Sequence, residues 1–370
     1  MSTFRRTNEH YVEGSLTLPQ QYYTSNEVFA RETERIFKKS WVCAGHQSRI
    51  PEAGEYFLLN LFEESLIVLR DKAGQIRAFY NVCRHRGTRI CEKDEGRFSG
   101  SVQCSYHAWT YGLDGRLIGA PFMKDVEGFR WEDYPLRAAP VQLWEGFIFV
   151  FLGAGTPRPL EETNAPLMNR FAKWNLAGLK SYERIPYDVR SNWKYIFQNF
   201  NECYHCPTIH PLLNTLTDYT SGNNDLVEGP LLGGFMEILN ESLTVSGHAC
   251  ARPLGQLGED SRRGYYYSIL PNLLLNVHPD YVMFHLVFPQ TPDRSTIFSE
   301  WLFHPQASDQ PGFRPQEAVD FWHETNLQDW HVCELGQLGV SSQAYSPGWY
   351  TPRESLLAAF DRHYLKIMKD

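Results

Sequence analysis

Two short segments, Cys83-Arg84-His85 and Cys104-Ser105-Tyr106-His107, constrain this chain more than anything else in it. Each pairs one cysteine with one histidine, and eighteen residues separate His85 from Cys104. Thiolates and imidazoles are metal ligands, so two of each would tie two loops into one site. Zinc sites commonly place their cysteines at C-x2–4-C spacing, and C-x-H followed by C-x2-H fits that poorly. A zinc-stabilised interaction module without catalytic activity is therefore the weaker reading.

Two cysteines and two histidines are the ligand set of a Rieske [2Fe–2S] centre, with both imidazoles on one iron. Cys83, His85, Cys104 and His107 would hold that cluster. Replacing two thiolates by neutral imidazoles removes negative charge and raises the potential above that of an all-cysteine ferredoxin. Such a centre passes one electron at a time and needs an acceptor. At 370 residues and 42% hydrophobic content there is room for a second domain to supply one.

The net charge of −8 argues against a phosphate-backbone partner. No run approaches the roughly 20 apolar residues of a membrane span, and the start through Thr7 lacks the apolar core of a signal peptide. A reducing, cytoplasmic home is expected. Eight cysteines in a chain this long do not make a disulfide scaffold. Cys43, Cys91, Cys203, Cys206, Cys250 and Cys333 are expected to be buried small hydrophobes.

Ser25 or Asn26 could cap a helix over Glu27–Phe37, with Val28, Phe29, Glu32 and Ile36 at helical spacing. From Trp41 to Gly153 the pattern turns to short β-prone runs, at 56–59, 66–69, 76–79 and 146–152. Asp71-Lys72-Ala73-Gly74 and Asp114-Gly115 mark turns between them. A Gly-, Pro- and Thr-rich stretch to about Pro166 reads as a linker. Beyond it lie a helix over 191–206, strands at 229–240, 264–276, 281–289 and 294–304, and a helix over 316–338. Strands segregated from long helices predict an α+β fold with an antiparallel sheet. The expected division is an N-terminal helical segment at 1–40, an all-β domain at 41–155 and a second domain at 165–370.

A second metal site is expected in Asn201-Glu202-Cys203-Tyr204-His205-Cys206-Pro207-Thr208-Ile209-His210. His205 and His210 are five apart, about 500° on an ideal helix, so they would not share a face. Pro207 would bend or end the helix and could bring both imidazoles onto one metal. Two histidines and a carboxylate make the facial triad of non-haem Fe(II) oxygenases. Asp329 is the best acid, because it shares a helix face with Trp322, Asn326, Cys333 and Gly336, none of them charged. Asp320 and Glu334 are off that face. Glu202, three residues before His205, is placed to take the free N–H of that imidazole.

Together these residues resemble the catalytic α subunits of Rieske non-haem iron oxygenases, over nearly the whole chain and in order. The stretch Asn201–Pro207, with glutamate rather than aspartate at 202, is similar to the carnitine, choline and glycine betaine monooxygenase branch. The resemblance implies an all-β Rieske domain and a helix-grip (START-like) catalytic domain. It implies a homotrimer in which His107 of one chain meets Glu202 of the next, making Glu202 an inter-subunit electron bridge. It also implies a separate reductase carrying flavin, an iron–sulfur centre and NAD(P)H, since this chain has no nucleotide-binding glycine motif. Thr88 and Ser105 stand where respiratory Rieske proteins carry a disulfide, which favours the oxygenase type.

The implied activity is O2-dependent oxidation of a small organic substrate, with a quaternary ammonium or betaine-like compound expected through cation–π attraction to aromatic residues. The alternative is an aromatic ring-hydroxylating dioxygenase acting on an aryl acid, because the same aromatics suit an arene. Arg84, Arg86 and Arg89 would either meet the reductase or solvate the first box. Trp109 is expected to pack over the cluster loop.

Overall fold

Period-two burial and two kinds of tight turn build the smaller unit of this computed structural model, which describes residues 4–369. Contacts divide the chain into Cys43–Gly155 and a second unit of residues up to Val42 together with Thr156 onward. In the smaller unit Ala138–Ala139, Ile76–Tyr80, Glu64–Arg70, Glu55–Leu61 and Glu95–Arg97 form a five-stranded antiparallel sheet, in that order. Asp71 fixes one turn by accepting from the N–H groups of Ala73 and Gln75 at 2.8 and 2.9 Å. Trp144 pairs with Phe147 across Glu145-Gly146, both at positive φ, as a two-residue hairpin requires. A separate ribbon of Ser101–Gln103, Thr110–Gly112 and Leu117–Gly119 carries the second Cys/His box. Ile67, Leu69, Phe79, Val102, Trp109 and Tyr111 pack between the sheets.

The larger unit is an eight-stranded antiparallel sheet. Its strands are β1 (Arg5–Arg6), β2 (Lys180–Val189), β3 (Asn223–Leu226), β4 (Leu231–Glu237), β5 (Arg263–Ile269), β6 (Leu273–Val277), β7 (Val282–Thr291) and β8 (Arg294–Phe303). They are ordered β1-β3-β4-β5-β6-β7-β8-β2. Every pairing from β3 to β8 joins neighbours in sequence, so the sheet grows by hairpins and only β1 and β2 are brought in from afar. The main helices are α1 (Asn26–Arg35), α2 (Trp193–Phe200), α3 (Pro315–Val340) and α4 (Ser355–Lys369); the last three lie against the sheet, and α1 packs on α2 and α4. This is the α+β, helix-grip arrangement expected, with a long helix held against an antiparallel sheet. No helix among the described residues is long and apolar enough to cross a membrane.

Ser25 caps α1, its Oγ accepting from the Val28 N–H at 3.3 Å, and Asn192 caps α2 through the Lys194 N–H at 3.0 Å. The two helices are joined by a buried ion pair. Lys194 Nζ lies 2.5 Å from Glu32 Oε1, and both side chains are at most 1% exposed. Glu32 also accepts from Trp193 Nε1 at 2.9 Å and from the Tyr364 hydroxyl of α4 at 2.5 Å. Its charge is thus met by three donors from two helices, as a buried carboxylate needs.

Three details depart from the sequence reading. First, α2 stops at Phe200 and does not run on to Cys206. Its continuation is displaced by Glu202, whose Oε2 accepts from the N–H groups of Tyr204 and His205 and so competes with helical bonding. Pro207 does not bend a long helix; it sits in the first turn of a new four-residue one, Cys206–Ile209, where a missing N–H costs nothing. Second, the 264–276 run is two strands, with Pro271 in the turn between β5 and β6. Third, Cys203 and Cys206 are not separate hydrophobes but a disulfide, Cα–Cα 4.9 Å. The other four assigned that role are buried thiols outside any disulfide.

Candidate functional site

The two Cys/His boxes adopt the same backbone form. Cys83 N–H donates to Thr88 O at 2.8 Å, and Cys104 N–H to Trp109 O at 2.9 Å, each bridging five residues. Gly87 N–H returns to Cys83 O at 3.0 Å, and Ala108 N–H to Cys104 O at 3.1 Å. Gly87 and Ala108, each four residues past its cysteine, both have positive φ, of 77° and 56°. Two loops of one shape thus present a buried cysteine and an exposed histidine apiece: Cys83 and Cys104 are 3% and 2% exposed, while His85 and His107 face solvent. The imidazoles lie 4.8 Å apart between centroids. A cluster here would have its cysteine iron inward and its histidine iron at the surface, which suits electron exchange with a partner.

Surrounding groups tune those sulfurs. The Tyr111 hydroxyl lies 3.4 Å from Cys83 Sγ. Burial pushes the Cys104 thiol up, and the N–H groups of Tyr106 and His107 bonded to its sulfur oppose that. Hydrogen bonds to cluster sulfurs raise a Rieske potential. Trp109 stacks on His85 at 4.9 Å and 8°, covering the loop as expected. Of the flanking arginines, Arg84 reaches Pro135 O at 3.4 Å and Arg86 lies over the Tyr106 ring.

The second site is built from the break after α2 and the middle of α3. His205 Nε2, His210 Nε2 and Asp329 Oδ1 converge, with separations of 3.1 Å between the imidazoles and 3.3 and 3.0 Å from each to the carboxylate. Three ligands about 2.1 Å from one ion lie about 3.0 Å apart on an octahedral face and about 3.4 Å apart in a tetrahedron. The set therefore fits a facial array that leaves further positions open. The outer nitrogens are also held: His205 Nδ1–H donates to Glu202 Oε1 at 2.5 Å, and His210 Nδ1–H to Gln328 Oε1 at 2.7 Å. Both Nε2 atoms are thereby turned inward as ligands.

Charge tells the same story. Burial acts to lower the His205 imidazole, but hydrogen bonds to Asp329 and Glu202 outweigh it and push it up to about 10. Burial acts to raise Asp329, and the hydrogen bonds from His205 and His210 pull it far below the usual carboxylate range. Two carboxylates facing one imidazole favour positive charge between them, which a proton on His205 or a metal cation in its place would supply. Cys206 Sγ is 3.9 Å from His205 Nε2, but its bond to Cys203 removes it as a thiolate ligand.

A cavity of about 550 Å³ opens over these ligands. Aromatic faces of Phe200, Tyr219, Phe235, Tyr266, Trp322 and Trp330 line it, and α3 contributes the last two with Asp329. His285 lines it as well. Burial holds that imidazole neutral, pushed down to about 4, and its Nδ1 lies 2.6 Å from the Ser299 hydroxyl. The sequence reading missed Gln328, although it directly precedes Asp329. It also missed the cavity's arginines, Arg6 and Arg353. His278 is fully buried and absent from the lining.

Residues 40–130 match the Rieske [2Fe-2S] domain family, and residues 176–370 match the family described as ring hydroxylating alpha subunit (catalytic domain). The chain belongs to the Rieske non-haem iron oxygenases as an oxygenase subunit: an oxidoreductase with a [2Fe–2S] domain and a catalytic domain for mononuclear iron. Within that family it is 31% identical over 376 residues to the glycine betaine monooxygenase oxygenase subunit of Chromohalobacter salexigens, spanning 92% of this chain and 82% of that protein. It is 32% identical to the carnitine monooxygenase oxygenase subunit of Escherichia coli K12, over 89% of this chain and 85% of that one. The quaternary ammonium Rieske monooxygenase CntA, solved with its substrate L-carnitine, superposes at a TM-score of 0.80 over 96% of each chain, at 24% identity, a likeness of fold. The two curated relatives are named for glycine betaine and carnitine rather than for aryl acids, and their designation as oxygenase subunits implies a separate reductase.

Proposed function

We propose that this chain oxidises a quaternary ammonium substrate at iron held by His205, His210 and Asp329, and that Cys83, His85, Cys104 and His107 hold the [2Fe–2S] cluster. The observation that carries the reading is the convergence of His205 Nε2, His210 Nε2 and Asp329 Oδ1 within 3.3 Å of one another. When bound, the two iron groups supply one-electron storage and O2 activation.

The residues do the rest. Glu202 holds His205 Nδ1–H and keeps the ring in the tautomer that offers Nε2. Gln328 does the same for His210. The aromatic faces of the cavity exclude water and attract a trimethylammonium group. In the proposed assembly three chains form a ring, and His107 of one reaches Glu202 of the next, so that Glu202 is the electron bridge between subunits. The setting is cytoplasmic, and electrons come from a reductase carrying NAD(P)H, flavin and an iron–sulfur centre.

The test is product analysis with an NADH-driven reductase on a panel of glycine betaine, carnitine, choline and benzoates. Oxidation of the ammonium compounds alone is expected. Turnover of benzoates alone, with diol products, would overturn the substrate assignment.

A further inference from the structure

The cavity is not uniformly charged. Its buried wall carries Glu202 and Asp329, with side chains 11% and 16% exposed. Its exposed rim carries Arg6 and Arg353. Neither guanidinium makes an ion pair with a described residue; Arg353 lies over the Tyr219 ring, 5.4 Å from its centroid. The acid nearest them in effect is Asp218, whose Oδ1 already accepts from the Thr220 N–H at 2.8 Å and hydroxyl at 2.6 Å. Those two hydrogen bonds hold Asp218 below the usual carboxylate range, and Arg353 and Arg6 add to the effect. Two cations facing one occupied carboxylate leave the rim net positive.

The pairing of the two arginines is built into the fold. They come from opposite ends of the chain, Arg6 from β1 and Arg353 from the turn before α4. The Ser355 hydroxyl joins these segments by donating to Thr7 O at 2.7 Å. A capping box fixes the Arg353 turn, with Thr351 N–H donating to Glu354 Oε2 at 2.7 Å. β1 is fixed by pairing with β3, Arg6 opposite Asn223.

A rim of this charge opposes the entry of a simple cation and favours an anion. A guanidinium binds a carboxylate through two parallel N–H···O bonds, a geometry a lone ammonium or alcohol cannot use. We propose that Arg353, assisted by Arg6, receives the carboxylate of a zwitterionic substrate, so that the enzyme selects betaines over quaternary ammonium alcohols. This rests on the quaternary ammonium reading above. The trimethylammonium group then lies against the aromatic wall and the carboxylate at the positive rim.

The test is anaerobic calorimetric binding to the iron-loaded holoenzyme, with glycine betaine and carnitine as zwitterions and choline as the head group without a carboxylate. Wild type should bind at least one zwitterion about tenfold or more tighter than choline, the scale of one charge-assisted hydrogen bond. Arg353→Gln should weaken that zwitterion about tenfold more than it weakens choline, Arg353→Lys should recover part of the loss, and Arg6→Gln should have a smaller effect in the same direction. The kcat/KM ratio between the ligands should move in parallel, through KM. Equal shifts for zwitterion and choline in Arg353→Gln, or none for either, would overturn the carboxylate role while leaving the quaternary ammonium reading intact. Failure of all three ligands to bind wild type would overturn both.

Discussion

His278 shows how a single side chain can set the acid limit of this protein. It is fully buried, packed against Tyr281, Trp322 and Tyr266 at ring distances of 4.6, 5.4 and 5.9 Å, and neither ring nitrogen has a hydrogen-bond partner among the described residues. Burial pushes its imidazole down to about 3, from an ordinary 6.5. The unfolded chain takes up the proton first, so stability is full above about pH 6.5 and falls as the pH drops toward 3. By pH 5 this one group should cost about 2 kcal/mol. His278→Phe removes two unsatisfied buried atoms and keeps the ring, so it should leave stability at pH 7.5 within about 1 kcal/mol of wild type and flatten the acid limb. Urea midpoints at pH 7.5 and 5 check this; an unchanged acid limb would refute it. Residue spacing revealed chemistry of other kinds. Glu202, His205, His210 and Asp329 could be picked out because metal ligands and their orienting acids need fixed atom types, and the structure brings the four side chains together. Gln328 could not, since an amide ahead of an acid on a helix carries no such signature. Nor could Arg6 and Arg353, whose meeting depends on a strand pairing and a turn more than 300 residues apart.

At the scale of elements, α2 matters most, because it delivers the chain to Glu202 and His205. Its anchor is the Lys194–Glu32 pair. Removing one buried partner leaves an uncompensated charge, so Lys194→Met should destabilise the protein by about 3–5 kcal/mol. The double variant Glu32→Gln with Lys194→Met, which removes both charges and keeps an acceptor for Trp193 and Tyr364, should recover most of that loss, as read by chemical denaturation of the holoenzyme. Equal stability of Lys194→Met and wild type would mean that the pair does not anchor the helix. The start of α1 was legible from its Ser25 cap, and α3 lies within two residues of the 316–338 reading at each end. The end of α2 was not, because the competing bond comes from its own downstream carboxylate, Glu202. β2 was hidden by its charged edge pattern, Lys180 to Val189, in which few residues are buried. α4 carries an apolar stripe, Leu356, Phe360, Tyr364 and Met368, yet its place against α1 and α2 is set by partners such as Glu32 that lie far off in sequence.

For the whole molecule, the order of the boxes along the chain sufficed for the family, because each metal set requires a different scaffold. An all-β frame can hold two equivalent loops, whereas a sheet with a long helix can oppose Asp329 to a histidine pair while leaving room for substrate. The central claim is that one chain holds two iron groups on separate ligand sets. It is tested most directly by measuring iron, acid-labile sulfide and the EPR spectrum of dithionite-reduced protein, for wild type and His210→Ala. Wild type should show the anisotropic Rieske signal with an iron-to-sulfide ratio of about 3:2, and His210→Ala should keep the signal while the ratio falls to about 1:1. No Rieske signal in wild type, or an unchanged ratio in His210→Ala, would contradict the account.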